Sequence, residues 1–402
     1  DVRVYSTVIA AATDCGKWRA GLGIFASMSN NGVHPDTVSY NAALKACGRG
    51  GQWKKALSLL EDMQARGLAR DAYSYNSAIK ACGNGGQWEK AVWLLEDMQT
   101  RGVAANVISY NTAITACGDG GQWGKAVSLL EDMPRRGVAA DVISYNSAIK
   151  ACGDGGQWEK AVSLLEDMRT RGVAADVVSY NSAIKACGDG GQWEKALWLL
   201  EDMQTRGVAA DVISYNSAIK ACGDGGQWEK AVWLLEDMPR RGVAADVVSY
   251  SSAITACGDG GQWEKAVSLL EDMPRGGVAA DVISYNSAIT ACGDGGQWEK
   301  AVWLLEDMRT RGVAADVVSY SSAIKACGDG GQWEKALWLL EDMKGRGVAA
   351  DVVSYNSAIT ACGDGGQWEK ALWLLEDMRR RGVAANVVSY SSAIKACGDG
   401  GQ

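Results

Sequence analysis

Twelve cysteines run through the 402-residue chain, and from Cys47 to Cys397 one recurs every 35 residues. In nine places the cysteine sits in the heptapeptide ACGDGGQ, first at Ala116–Gln122 and last at Ala396–Gln402. A thiol, a carboxylate two residues on and three glycines could bind a metal, attack a substrate or cradle a phosphate. Zinc takes four clustered Cys or His ligands, but the chain has no Cys-x-x-Cys and one histidine, His34. A calcium loop needs alternating oxygen ligands and a distal Glu, where this stretch offers a single Asp. A phosphate loop carries Gly-Lys-Ser/Thr entering a helix after a strand, whereas here Gly-Gly is followed by Gln-Trp. His34 lies in a loop, so a Cys-His or Ser-His pair can form at one place at most. The nucleobase-deaminase signature of His-x-Glu with Pro-Cys-x-x-Cys is absent. The reading left is a non-enzymatic array with no cofactor and no metal, in which the cysteine is a small core residue and the glycines turn the chain.

Composition follows from one segment copied many times: 50 Gly, 17 Trp and 13 Tyr, but one Phe and four Pro. A fixed period of this length signals a repeat architecture. The formal charge is −8, the wrong sign for bulk attraction to nucleic acid. No apolar stretch is long enough to span a membrane. Packed helices lie about 8–10 Å apart, while bridged cysteines need Cα atoms within about 7 Å. Cysteines stacked one per repeat are therefore expected to be free, which suits a reducing compartment.

Eleven full repeats begin at Val2, Thr37, Ala72, Val107, Val142, Val177, Val212, Val247, Val282, Val317 and Val352, and a half repeat occupies Val387–Gln402. The array fills residues 1–402 as one domain, read as a segment of a longer protein because it stops in mid-repeat. Val177–Asp211 serves as the example. Tyr180, Ala183, Ile184 and Cys187 recur at helical spacing and predict a first helix over Val177–Cys187, with Asp176 as its N-cap. Gly188–Gly191 (GDGG) is expected to break it. A second helix is predicted over Gln192–Arg206, with Trp193, Ala196, Leu197, Leu200 and Met203 as its stripe. One such pair cannot bury its apolar faces alone, and stacking many can. The fold class is therefore all-α, an α-solenoid of helix-turn-helix repeats.

The copies differ at few places. At 100° per residue the second, fifth and ninth positions share one face, opposite the Tyr/Ile/Cys stripe. The fifth is Asn in Asn41, Asn76, Asn111, Asn146, Asn181, Asn216, Asn286 and Asn356, and Ser in Ser6, Ser251, Ser321 and Ser391. The ninth is Lys in Lys45, Lys80, Lys150, Lys185, Lys220, Lys325 and Lys395, and otherwise Thr apart from Ala10. The last position is Asp except at Asn106 and Asn386. Helix capping explains Asp or Asn there, but it does not explain a whole face of small apolar, amide and lysine residues at one pitch.

The 35-residue period, VSYNSAI, the Ala-Cys, the Gly-rich turn, EKA, the Met of EDM and the closing Gly-Val…Asp resemble the pentatricopeptide repeat family, as a P-type-like tandem array covering the whole chain. The first repeat ends GVHPD (Gly32–Asp36), and later ones end GVAAD. The resemblance implies sequence-specific binding of single-stranded RNA, one base per repeat, a recognised mode of helical repeats. It implies that the fifth and last residues read the base and that the second packs between bases. Asn41/Asp71, Asn111/Asp141, Asn146/Asp176, Asn181/Asp211, Asn216/Asp246 and Asn286/Asp316 would favour uracil. Ser6/Asp36, Ser251/Asp281 and Ser321/Asp351 would favour guanine, and Asn76/Asn106 and Asn356/Asn386 cytosine. The implied target is 5′-GUCUUUUGUGC-3′. Val38, Tyr73, Ile108, Ile143, Val178, Ile213, Val248, Ile283, Val318 and Val353 would pack between bases, and the ninth-position lysines would meet the RNA backbone. The resemblance also implies organelle RNA processing, stability or translation, in a mitochondrion or plastid. This sequence departs from the family at the thirteenth position, where many members carry Lys. Here it is mostly Asp, four residues after the ninth-position Lys and placed to pair with it. Binding is therefore expected to be weaker and strongly salt-sensitive. Acids such as Glu194, Glu201 and Asp202 are expected on the outer surface.

The second helix carries Trp at its sixth residue in Trp93, Trp198, Trp233, Trp303, Trp338 and Trp373, among Glu and Lys. Partial burial against a neighbouring repeat accounts for these. An exposed aromatic ridge for a protein partner or self-association is the other reading. It makes a protein-binding scaffold, using that ridge and the acidic surface, the alternative to RNA binding.

Overall fold

The computed structural model describes residues 1–399 of the chain. They form twenty-three α-helices and one short 3-10 helix, with no strand among the described residues. The contacts divide into two compact units, Asp1–Ala209 and Ala210 onward, and each is described by itself.

In both units every full repeat is a helical hairpin. Repeat five has helices Val142–Asp154 and Trp158–Thr170. Tyr145, Ala148, Ile149 and Cys152 of the first are buried against Ala161, Leu164, Leu165 and Met168 of the second. Each first helix also packs on the first helix of the next repeat in the same unit, whereas successive second helices make no comparable contact. The inner row is therefore tight and the outer row is splayed.

The glycines explain the tight row. The first helix runs two residues past the predicted end, to Asp189 in the example repeat, and the second spans Trp193–Thr205 with Gln192 outside it. Gly and Asp of GDGG are thus helical, because tertiary contacts at the first glycine outweigh its low helix propensity. A methyl on Gly153 would lie 2.9 Å from the Ala186 Cβ of the next repeat, so this glycine permits the helices to approach. A methyl on Gly155 would lie 2.5 Å from the Trp123 ring of the preceding repeat, so the second glycine is a seat for that indole. Only the third turns the chain: Gly156 has φ 71°. Around it Gly156 N–H donates to the Gly153 carbonyl at 2.9 Å and Gln157 N–H to the Cys152 carbonyl at 2.8 Å, a Schellman end.

A second tie holds the hairpins of repeats two to seven and nine to eleven closed, while in repeat one Asn31 donates to the Tyr5 hydroxyl instead. The Tyr180 hydroxyl donates to Asp202 at 2.9 Å, and Arg206 donates to the same carboxylate at 2.7 Å. Asp202 is therefore half-buried between the helices and not part of the outer surface, unlike the exposed Glu194 and Glu201. Burial works against its ionisation, yet Arg206 and Tyr180 hold its carboxyl below the ordinary value. Burial and the facing carboxylate push the Tyr180 hydroxyl up to about 12. Repeat eight lacks the arginine. Gly276 takes its place, Arg275 turns to Asp272, and Tyr250 has no such bond among the described residues.

The cysteines from Cys47 to Cys362 are free and buried, and burial raises the Cys187 thiol to about 11. No group of three His, Cys, Asp or Glu that could hold a metal occurs among the described residues. No helix among them is long and apolar enough to cross a membrane.

The ridge tryptophans are half-exposed, from Trp198 at 44% to Trp93 at 53%. Trp93 and Trp198 each line a cleft between two second helices, Trp93 beside Leu57 and Leu60, Trp198 beside Val162 and Leu165. Lys195 lies over the Trp198 ring at 3.8 Å. About half of each of the six side chains thus stays open to solvent.

The glycine roles can be separated. Gly155→Ala should lower the urea midpoint, costing about 1–3 kcal/mol as overpacking against Trp123. Gly124→Ala, where a methyl meets nothing within 4 Å, should be neutral or stabilising by up to ~1 kcal/mol. Equal effects would reject the seat.

The Tyr–Asp–Arg ties and the caps described below also set an acid limit. Depressed carboxyls such as Asp167 and Asp202 contribute stability that is fully present above the ordinary value of 3.8. That stability is lost as pH falls through the lower folded-state values. The urea midpoint should hold down to about pH 5 and fall as the pH is lowered further, and Asp202→Asn should flatten that fall.

Candidate nucleic-acid interface

The first helices carry the predicted face, and the turn between repeats fixes its polar centre. The last residue of each repeat caps the following helix. Asp141 accepts from the Ser144 N–H at 2.9 Å, and the Ser144 hydroxyl answers the Asp141 N–H at 3.1 Å, a reciprocal box. Asn106 and Asn386 cap in the same way. The capping oxygen, Oδ1 of Asp141, also accepts from a second donor, so one atom serves both a cap and a partner.

That partner is the fifth residue. The amide of Asn111 donates to Asp141 at 3.0 Å, Asn146 to Asp176 at 3.1 Å, Asn216 to Asp246 at 3.1 Å and Asn286 to Asp316 at 3.1 Å. Asn41 reaches Asp71 at 3.2 Å, Asn76 reaches Asn106 at 3.3 Å and Asn356 reaches Asn386 at 3.2 Å. Asn181 is half-buried and Asp211 caps its own helix, but the two belong to different compact units. Burial disfavours the Asp141 charge, but the Ser144 N–H, the Asn111 amide and the Ser144 hydroxyl together hold its carboxyl below the ordinary value. The fifth position is more enclosed than a helical wheel implies: Asn111, Ser251 and Ser321 are buried, because the next repeat's first helix covers one side. Ser391 is exposed.

Sequence reasoning missed the third-position serine. Ser39, Ser74, Ser144, Ser249, Ser284, Ser319, Ser354 and Ser389 are fully buried. Each bonds the last residue of the preceding repeat and also reaches that repeat's fifth residue. Ser144 donates to the Asn111 amide oxygen at 2.5 Å, and Ser249 to that of Asn216 at 2.6 Å. The Ser251 and Ser284 hydroxyls lie 2.9 Å apart, as do those of Ser321 and Ser354. Repeat three differs: Ser109 turns to Asn106, leaving the buried Asn76 amide oxygen without a partner. The signal in the sequence was the serine's presence in every copy but the first, where Val4 stands.

Around the polar pair the second-position side chains stand out of the face. From Tyr73 and Val318 at 49% exposed to Val38 at 62%, all ten predicted residues project into solvent. In the second compact unit Val248 and Ile283 of successive repeats flank a cavity of about 250 Å³ that Ser251 and Asp281 also line. Two aliphatic walls and a polar floor suit a flat, hydrogen-bonding ring.

The ninth-position lysines are not free cations. Lys150 pairs with Asp119 at 3.1 Å and Asp154 at 3.3 Å, and Lys185 with Asp154 at 3.3 Å and Asp189 at 2.8 Å. Lys45 pairs with Asp14, Lys220 with Asp224, Lys325 with Asp294 and Lys395 with Asp364. The pairing predicted within a helix thus extends to the helix before it, making a ladder of half-exposed pairs of the kind individually worth little. Lys80 is the exception, since its neighbours at the thirteenth position are Arg49 and Asn84.

The PPR repeat family model matches the chain eleven times, in overlapping stretches from 1–49 and 35–84 through to 350–399. No curated protein matches the chain by sequence. Among solved structures it is similar to the pentatricopeptide repeat protein PPR10 from maize, at 23% identity and a TM-score of 0.60, over 100% of this chain and 72% of that one. It is also similar to PPR10 in complex with an 18-nt psaJ RNA element, at 25% identity and a TM-score of 0.50, over 99% of this chain and 61% of that one. Helical hairpins stacked at a 35-residue period and matched end to end over residues 1–399 leave one assignment: the chain belongs to the PPR repeat family.

Proposed function

We propose that this array binds single-stranded RNA in a sequence-specific way, one base per repeat, with the target 5′-GUCUUUUGUGC-3′. The observation that carries the reading is the repeated constellation of a fifth-position amide or hydroxyl beside a last-position Asp or Asn, between exposed second-position side chains. A base held between Val248 and Ile283 would meet Ser251 and Asp281 edge-on. The likeness to PPR10, solved with an RNA element, supports the same reading. Family resemblance extends it to organelle RNA processing, stability or translation, in a mitochondrion or plastid.

The ladder predicts how tightly. RNA phosphates compete with Asp for each lysine, so affinity is set by the difference between the two pairings. Asp154→Asn removes one of the two carboxylates that hold each of Lys150 and Lys185, leaving Lys150 with Asp119 and Lys185 with Asp189. It should tighten binding several-fold and steepen the salt dependence, since more phosphates are then neutralised. Unchanged affinity and slope would remove these lysines from the RNA backbone.

Titrating the predicted strand, its complement and a scrambled strand at two salt concentrations tests the function. Equal binding, or none, to all three rejects it. Ser251→Asn should move the preference at the eighth base from guanine towards uracil, and an unmoved preference rejects the assignment of the fifth position.

A further inference from the structure

The buried third-position serine touches both residues proposed to read a base, although it belongs to the next repeat and faces no solvent. Its single proton has consequences for what those two residues can offer. A carboxylate accepts and cannot donate, which fixes the direction of the chain in repeat eight. Ser284 lies 2.8 Å from Asp281 and donates its proton there. Ser251, 2.9 Å from Ser284, must then donate to the Ser284 oxygen. Its own proton is used inward, and what faces the cavity is a lone pair. Ser251 and Asp281 therefore present two acceptors. The Ser321, Ser354 and Asp351 set has the same geometry.

Where the fifth residue is Asn, the same serine does the opposite work. Ser249 lies 2.6 Å from the Asn216 amide oxygen and 2.9 Å from Asp246. The amide oxygen is thereby held inward and one amide N–H is directed at Asp246, which leaves the other N–H to serve a base. The pair presents one donor and one acceptor. Guanine's pairing edge carries two adjacent donors, N1–H and N2–H, and uracil's carries N3–H beside a carbonyl acceptor. The two displays match these two edges without any change in the Asp.

We infer that the third-position serine of the following repeat, wherever it bonds the fifth residue before it, is a positioning residue for base recognition, which sets the hydrogen-bond polarity of that fifth residue. The inference rests on the RNA-binding reading above and adds a residue to it.

The test uses the full chain and four strands differing only at base eight, four differing only at base seven, and four differing only at base four as a control. Ser284→Ala lets the Ser251 proton turn outward, so the guanine-over-uracil ratio at base eight should fall about five- to tenfold, as expected for one lost hydrogen bond. Ser284→Thr keeps the hydroxyl and should restore the ratio. Ser249→Ala frees the Asn216 amide to turn over and should lower the uracil-over-cytosine ratio at base seven by a similar factor, which carries the test independently if Ser284→Ala does not fold. Both alanine variants also weaken a helix cap, so affinity for every strand will drop. The ratios, with base four unchanged, are the readout. Weaker binding with the parent's ratios would make the serine a cap alone and overturn the inference. A parent chain with no base preference would instead overturn the RNA reading, and this inference with it.

Discussion

Everything in this molecule depends on how closely successive first helices approach. At Gly153 against Ala186 there is no room for a methyl, and the Trp123 indole occupies the space a side chain at Gly155 would need. These two contacts set the spacing of the inner row. That spacing brings a serine of one repeat within hydrogen-bond distance of the fifth residue of the one before. A looser stack would keep every helix and lose this reach. Close packing also leaves the polar pair half-enclosed, where hydrogen bonds discriminate better than they do in open water.

The residues of the face do more than one job, which limits what evolution or engineering can change. The last Asp is a helix cap, a partner for the fifth residue and the proposed base acceptor. Replacing it by Asn preserves the first two roles, as Asn106 and Asn386 show. Asp and Asn also cap about equally well, so this position can vary its hydrogen-bonding character at little cost to the fold. The fifth position has similar freedom, since Asn and Ser both reach the buried serine of the next repeat.

Charge is arranged on a different logic. A net charge of −8 conflicts with nucleic-acid binding only if the charges are mixed evenly. Part of the acid is drawn inward, as Asp202 is, to close the hairpin with Tyr180 and Arg206. Part lies along the candidate face itself, where it holds Lys150 and Lys185 in ion pairs. The paired lysines of the face are therefore neutralised as it stands, and its attraction for a polyanion depends on breaking weak, half-exposed pairs.

The sequence by itself determined the repeat, the two helices, the buried stripe of Tyr180, Ala183, Ile184 and Cys187, and the residues of the face, because period and copy-to-copy variation are properties of the chain alone. It also determined the capping role of the last Asp, which needs only local geometry. It misplaced the end of the first helix, since Gly188 read as a breaker by propensity. Whether a glycine breaks a helix or lets two helices touch depends on Ala and Trp side chains from other repeats. For the same reason the sequence placed Asp202 outside. It also left Ser284 unnoticed, because a serine three residues into a helix is unremarkable until its neighbour across the stack is known. Contacts within a turn of chain are fixed by spacing, whereas contacts between repeats exist only once the stack has formed.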